Sequence, residues 1–416
     1  MMASFDAAAA TAQYLAQLSP EAHAKAVAYT QGGHWLLLGG FLVSVVVAFV
    51  VLRSGVLTRI RDGLEKRRPR PVLVSFVGAL VFLGLDWLLS LPWSAYASWW
   101  REKSYGLNNQ TWDAWLSEAA IGAAISTLMT AIFLVVLYAL IRKAPRTWWA
   151  WGGALSAAFI LFSVLIAPIY IEPLFNTYKE AQPGPVRDAV VQLAHENGVP
   201  TDKVFVFDGS RQSNRYTANV SGLGSTARIA MSDAMLTRAT LPEVRGVVGH
   251  EIGHYKQMHV IWFTAAFAVL SALGFWLVHA LFPVVGRLLG AGDVKSIADP
   301  AGLPVIWVVL ALLGLLGTPV FNTIFRTAEA DADRYSLEHA NEPDGLAAAL
   351  VKTVEYRASS PGKLEEVLFY DHPSVENRVR RAMEWKAAHP KPEPVPEAAP
   401  AAAPAAPPAE PASAKS

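Results

Sequence analysis

The sequence predicts a mainly α, polytopic membrane protein, in which about six transmembrane helices flank a smaller polar part holding a small β-sheet. Three observations carry that prediction. Six apolar stretches, at 35–52, 72–93, 119–141, 148–169, 260–284 and 303–325, approach or exceed the length that crosses a bilayer, about 20 residues, whereas apolar runs in soluble cores seldom pass about 14. The chain is 53% hydrophobic with 14 Trp, and only 17% of it is charged, against about 25% in soluble domains. Residues 173–258, between the fourth and fifth stretches, are polar and contain alternating, strand-like segments.

Taken in order, the first 30 residues are Ala-rich and amphipathic, without the basic start and apolar core of a cleavable signal peptide, so the 35–52 stretch is expected to act as the insertion signal. Trp93, Trp99, Trp100, Trp148, Trp149 and Trp151 fall at stretch ends, as an interfacial aromatic belt requires. Asp86 is an isolated acid at membrane depth, either facing an internal cavity or pairing with a charge on another helix. Residues 186–197 read as an amphipathic helix closed by Gly198. Lys203-Val-Phe-Val-Phe-Asp208 and Ala227-Arg-Ile-Ala-Met-Ser232 alternate like strands, with Gly222, Gly224 and Ser225 in the turn between them. The tail from Pro390 is nearly all Pro, Ala, Glu and Lys, too poor in large apolar residues to fold, and is expected to be disordered. Net charge is +1, which gives no reason to expect a nucleic-acid partner, and the absence of Cys excludes disulfides and thiolate ligands.

His250-Glu-Ile-Gly-His254 is the most informative pentapeptide. Residues 241–249 look helical, and on a helix His250 and His254 lie one turn apart on one face, placed to hold a single zinc ion with Glu251 within reach of its water. The bland alternative is two His and a Glu on an ordinary solvated helix, so a third ligand decides. His259, nine residues after His250, stands about 180° round an α-helix and is not expected to share their metal; His279 and His339 read as packing or surface residues. A metzincin places its third His where this chain has Val260. A site-2-type intramembrane protease uses an Asp-Gly pair, matched superficially by Asp344-Gly345, but Glu243, Arg245, Glu251, Lys256 and Gln257 make the motif segment too polar to span. A gluzincin takes Glu from a second helix, with an acid one turn later. Glu329-Ala-Asp-Ala-Asp333 supplies both: Glu329 to ligate and Asp333 to hydrogen-bond the far nitrogen of a zinc-bound His. The fold class thus sharpens to a polytopic protein with a gluzincin-type zinc-protease domain and one Zn2+ per chain. A strand just before such a helix is either an edge for substrate backbone or a plain hairpin.

Through these residues the chain resembles the integral-membrane zinc metallopeptidases typified by CAAX prenyl protease 1, with HtpX-type heat-shock proteases as shorter relatives. The markers run from about Leu91 to about Arg381: Leu91-Pro-Trp-Ser-Ala-Tyr96, Gly106-Leu-Asn-Asn-Gln-Thr111, Ile171-Glu-Pro-Leu-Phe-Asn176, Asp208-Gly-Ser-Arg211, the two motifs above, and His372-Pro-Ser-Val-Glu-Asn-Arg378. The resemblance implies His250, His254 and Glu329 as zinc ligands, Glu251 as base, and His372 and Arg378 near the active site as donors to an oxyanion. The structural alternatives are a turn at His372-Pro373 and a salt bridge from Arg378 to Glu329 or Asp333. It also implies a peptide or membrane-protein substrate, prenylated or otherwise lipid-like, and contact with membrane lipid. The chain departs where close relatives read Asn-Ala-aromatic before the substrate-pairing strand, having Thr217-Ala-Asn219 instead. The family has seven spans; this chain is expected to lack the first.

The expected organisation is a membrane region over 1–172, a protease part over 173–258, two further spans over 259–326, the rest of the catalytic domain over 327–388 and the tail over 389–416. A non-catalytic membrane scaffold would have let the motif decay, and a transporter would carry more intramembrane charge than Asp86. Within proteases the choice lies between CAAX processing and membrane-protein quality control. In a cell (inner) membrane, Arg53, Arg59, Arg61, Lys66, Arg67, Arg68 and Arg70 would put the loop opposite the zinc part in the cytosol, whereas the resemblance implies a cytosolic zinc domain.

Overall fold

The computed structural model describes residues 5–215, 217–222 and 226–390. A short α1 (Ala7–Leu15) leads into α2 (Pro20–Ser54), the first of six helices long and apolar enough to cross a membrane. α2 starts well before the apolar stretch begins, because Ser19 caps it, its Oγ accepting from Ala22 N at 3.1 Å, and Pro20 opens it. An amphipathic α3 (Val56–Glu65) links it to α4 (Pro71–Ser94), which a π-helical turn and α5 (Arg101–Ser104) prolong. α6 (Trp112–Lys143) and α7 (Trp148–Ile166) complete the N-terminal set. Asp86, half-buried in α4, has no ion-pair partner among the described residues.

The polar stretch folds into a four-stranded sheet, β1 (Tyr178–Glu180), β2 (Val204–Phe207), β3 (Ala218–Ser221) and β4 (Arg228–Ser232), in the order β1-β2-β4-β3. Here the expectation needs correcting. β2 and β4 pair in parallel, not as a hairpin, and Gly222, at φ +86°, turns the chain from β3 into β4. The edge beside the metal helix is therefore β3 rather than β4. β3, Ala-Asn-Val-Ser, is short and half-buried throughout, too weak a pattern to see in sequence. Gly224 and Ser225 lie outside the described residues, as does the tail from residue 391. α8 (Pro185–Glu196) covers one sheet face through Val190, Leu193 and Ala194, which pack with Ile229 and Met231.

After α9 (Asp233–Arg238) come α10 (Leu241–Lys256), the spanning α11 (His259–Leu288) and α12 (Leu303–His339), then α13 (Pro343–Lys352), α14 (Lys363–Phe369) and α15 (Val375–Ala388). α7 and α11 touch backbone to backbone: a Cβ on Gly153 would lie 2.7 Å from Ala268 O and from Ala272 Cβ. In lipid no hydrophobic force drives helices together, and small residues permit the close packing that does.

Three of the four non-catalytic marker segments, those around Asn109, Asn176 and Asp208, meet at one polar knot. Asn109 Nδ2 donates to Ser210 O (2.8 Å), Arg211 Nη1 to Glu118 Oε1 (2.6 Å), Asn176 Nδ2 to Asp208 Oδ1 (3.2 Å) and Arg228 Nη2 to Glu172 Oε2 (2.9 Å). These bonds tie the segment before α6, the start of α6 and the end of α7 to the sheet and the turn after β2, fixing the polar part against the membrane helices.

Candidate metal centre

Thr240 and Glu243 form a capping box at the start of α10, with a proline in its first turn, so the helix is well nucleated ahead of His250 and His254. Three glycines mark its inner face. A Cβ on Gly246 would meet Leu346 N at 2.9 Å, one on Gly249 would meet Ala340 Cβ at 2.8 Å, and one on Gly253 would meet Tyr335 Cβ at 3.0 Å. α12 and α13 thus press directly on the α10 backbone, and Ser336 Oγ donates across to Gly246 O at 2.6 Å.

That contact brings three side chains from two helices to one point. His250 Nε2 and His254 Nε2 lie 3.1 Å apart; Glu329 places Oε2 3.2 Å from the first and Oε1 3.3 Å from the second. Their ligand atoms all fall within 4.8 Å of one another, the His/Asp/Glu group among the described residues able to hold a metal ion. Glu329 Oε2 is buried without a hydrogen bond. Two imidazole nitrogens and a carboxylate facing a common point, one oxygen unsatisfied, fit a divalent cation.

Around them stands a second layer. Asp333 Oδ1 is 2.9 Å from His250 Nδ1 and accepts from Arg378 Nη2 at 2.7 Å, while its Oδ2 accepts from Arg378 Nε at 2.7 Å. Asp333 is 3% and Arg378 6% exposed. Of the two readings of Arg378, the geometry has the salt bridge to Asp333, with Glu329 Oε2 more distant at 3.8 Å. His372 lies in the loop between α14 and α15, where Ser374 caps α15 and Glu366 Oε1 accepts from Ser374 N at 2.9 Å. Its Nδ1 is 2.8 Å from Asp371 Oδ1 and its Nε2 3.2 Å from Glu329 Oε2. Burial holds the His372 pKa below the ordinary histidine value, with the Asp371 bond opposing it.

His259 stays off the ligand cluster, as expected, but not for the reason the angular count gives. The angular count assumed one continuous helix, but Met258 takes a left-handed conformation (φ 57°) and the chain breaks between α10 and α11. His259 Nδ1 therefore sits 2.8 Å from His254 Nδ1, the nitrogen facing away from the cluster. His279 and His339 keep bland positions: Trp148 Nε1 donates to His279 Nδ1 at 3.2 Å, and His339 stacks on Tyr335. Asp344-Gly345 opens α13, with Asp344 bonded to Tyr14 and Lys386. The glycine face of α10 was the other miss. Its signal was present, since three helix-interior glycines at about 1 kcal/mol each need a packing reason.

A cavity of about 200 Å3 opens on the cluster, lined by His250, Glu251, Glu329 and His372, by Thr217 and Ala218 at the start of β3, and by Tyr356 and Arg357. Burial pushes the Glu251 carboxyl above the ordinary glutamate range; a cation at the adjacent ligands would oppose that.

Two family models cover most of the chain, the CAAX prenyl protease N-terminal region with five membrane helices over residues 6–177 and peptidase family M48 over residues 180–386. The chain belongs to peptidase family M48. It is a membrane metalloprotease, and four of its candidate spans fall inside the N-terminal match. Among relatives, it is 28% identical over 374 residues to the uncharacterized metalloprotease YhfN of Bacillus subtilis (88% of this chain, 86% of the other). It is 26% identical over 327 residues to CAAX prenyl protease 1 of Saccharomyces cerevisiae (72% and 71%). The crystal structure of S. mikatae Ste24p shares the fold, with a TM-score of 0.71 at 21% identity, covering 91% of this M48 protease and 95% of that chain.

Proposed function

We propose that this M48 protease is a zinc endopeptidase in which His250, His254 and Glu329 bind one zinc ion, Glu251 is the general base and His372 steadies the oxyanion. The observation that carries the reading is the convergence of two imidazoles and a carboxylate from α10 and α12 at the floor of a cavity that also holds Glu251. Zinc bound there supplies Lewis acidity, polarising the scissile carbonyl and acidifying water. Glu251 accepts the proton of the attacking water and passes it to the leaving amine. His372, held at Nδ1 by Asp371, turns Nε2 toward the cluster; Nε2 donates to the carbonyl oxygen only as imidazolium, a form that the charge developing on that oxygen favours. Arg378 works through Asp333, which orients His250, and His259 accepts from the outer nitrogen of His254. The β3 edge supports a substrate held by backbone pairing.

The substrate is a peptide or membrane protein. Likeness to CAAX prenyl protease 1 favours CAAX-type processing; Thr217-Ala-Asn219, in place of Asn-Ala-aromatic, keeps membrane-protein quality control as the second reading. The zinc part faces the cytosol of the cell membrane, as in the family, against the charge of the 53–70 loop. The test is Glu251→Gln, assayed on peptides with zinc content measured alongside. A loss of about 10²–10⁴ in rate with zinc retained is expected of a general base; undiminished peptidase activity would refute the assignment.

A further inference from the structure

Two cavities share two lining residues. Tyr356 and Arg357 line both the metal-centre cavity and a second one of about 440 Å3, which runs past Leu36 and Leu37 of α2 and past Glu102 and Asp371. The other arginines here are committed. Arg378 grips Asp333 with two bonds, and Arg215 donates to Tyr29 Oη (2.9 Å) and Glu102 Oε2 (2.8 Å) while lying 4.6 Å from the centre of the Tyr356 ring. Arg357 differs. It is half-buried, yet among the described residues no oxygen accepts from its guanidinium, whose recorded neighbour is the Tyr356 ring at 5.9 Å. The carboxylates whose charge reaches it, Asp371 and Glu329, are already engaged, one with His372 and the other in the ligand cluster.

A half-buried guanidinium that meets no protein acceptor is left to water alone, and an incoming anion would answer its donors with stronger, charge-assisted bonds. Its planar fork matches a carboxylate. We propose that Arg357 is a specificity-determining residue that binds a substrate carboxylate, an acidic side chain or the peptide's own C-terminus, where it borders the two cavities. Thr217 and Ala218 line the metal-centre cavity with Arg357, so a peptide paired along β3 is within its reach. The inference rests on the peptidase reading of the metal centre and names the chemistry of what that site prefers.

The test uses the full-length, zinc-loaded protein and matched peptides: Asp against Asn at each position flanking the cleaved bond, and free against amidated C-termini. One pair should show a carboxylate preference of about 10–100-fold in kcat/KM, the worth of a charge-assisted bond. Which pair it is separates a side chain from a C-terminus. In Arg357→Gln the ratio should fall to near one, and Arg357→Lys, keeping charge without the fork, should restore part of it. Equal turnover of every pair by the wild type, or a preference surviving Arg357→Gln, overturns the proposal and leaves the peptidase reading intact. No cleavage of any peptide by the zinc-loaded wild type overturns that reading and the proposal with it.

Discussion

Asp333 shows how much of the centre depends on a residue outside the ligand set. Its carboxylate meets His250 on one side and both arms of Arg378 on the other, almost wholly out of water. Arg378→Ala leaves the buried Asp333 charge without its cation and with His250 alone, and we expect a loss of about 3–5 kcal/mol in unfolding free energy together with weaker zinc binding. Denaturant unfolding and zinc competition check it; unchanged stability would return Arg378 to a purely catalytic role. Asp333→Ala should loosen zinc by about 10–100-fold without abolishing binding, and His259→Ala by about 10-fold through His254, the usual scale for residues that orient metal ligands. Zinc affinity of His259→Ala equal to the wild type's would reduce the His254–His259 contact to packing.

At the scale of elements, the metal site is a consequence of how closely α10 and α12 approach. Gly249→Ala would drive a methyl to 2.8 Å from Ala340 Cβ and 2.9 Å from Ser336 Oγ, so the helices must part. Overpacking of that kind costs about 1–3 kcal/mol, against about 1 kcal/mol regained in helix propensity. We expect a small fall in Tm but a clear loss of zinc retention against a chelator, because the ligands come from both helices. Full retention would mean that ligand geometry does not depend on this contact. The two motif helices were legible in sequence because their spacing repeats the helical period, and His250, His254, Glu329 and Asp333 duly meet. His259 was not, because one left-handed residue, Met258, voids any angular count. The pairing of β2 with β4 was not either: alternation identifies a strand, while its partner is chosen by long-range packing.

For the whole molecule, apolar length alone revealed the six spans, since lipid forces every backbone group to be satisfied within a helix. It did not reveal the knot joining Asn109, Glu118, Asp208 and Arg211, whose residues look like ordinary loop polarity until the fold gathers them. Six crossings put both ends of the described chain on one side with the metal centre. A reporter fused after Pro390 should accordingly fluoresce as green protein in the cytosol; alkaline phosphatase activity there instead would give the membrane to the positive-inside rule. The zinc assignment itself is tested most directly by elemental analysis of purified protein. One zinc per chain is expected in the wild type and in Glu251→Gln, and its loss in His250→Ala, His254→Ala and Glu329→Ala. Stoichiometric zinc in Glu329→Ala would contradict the account.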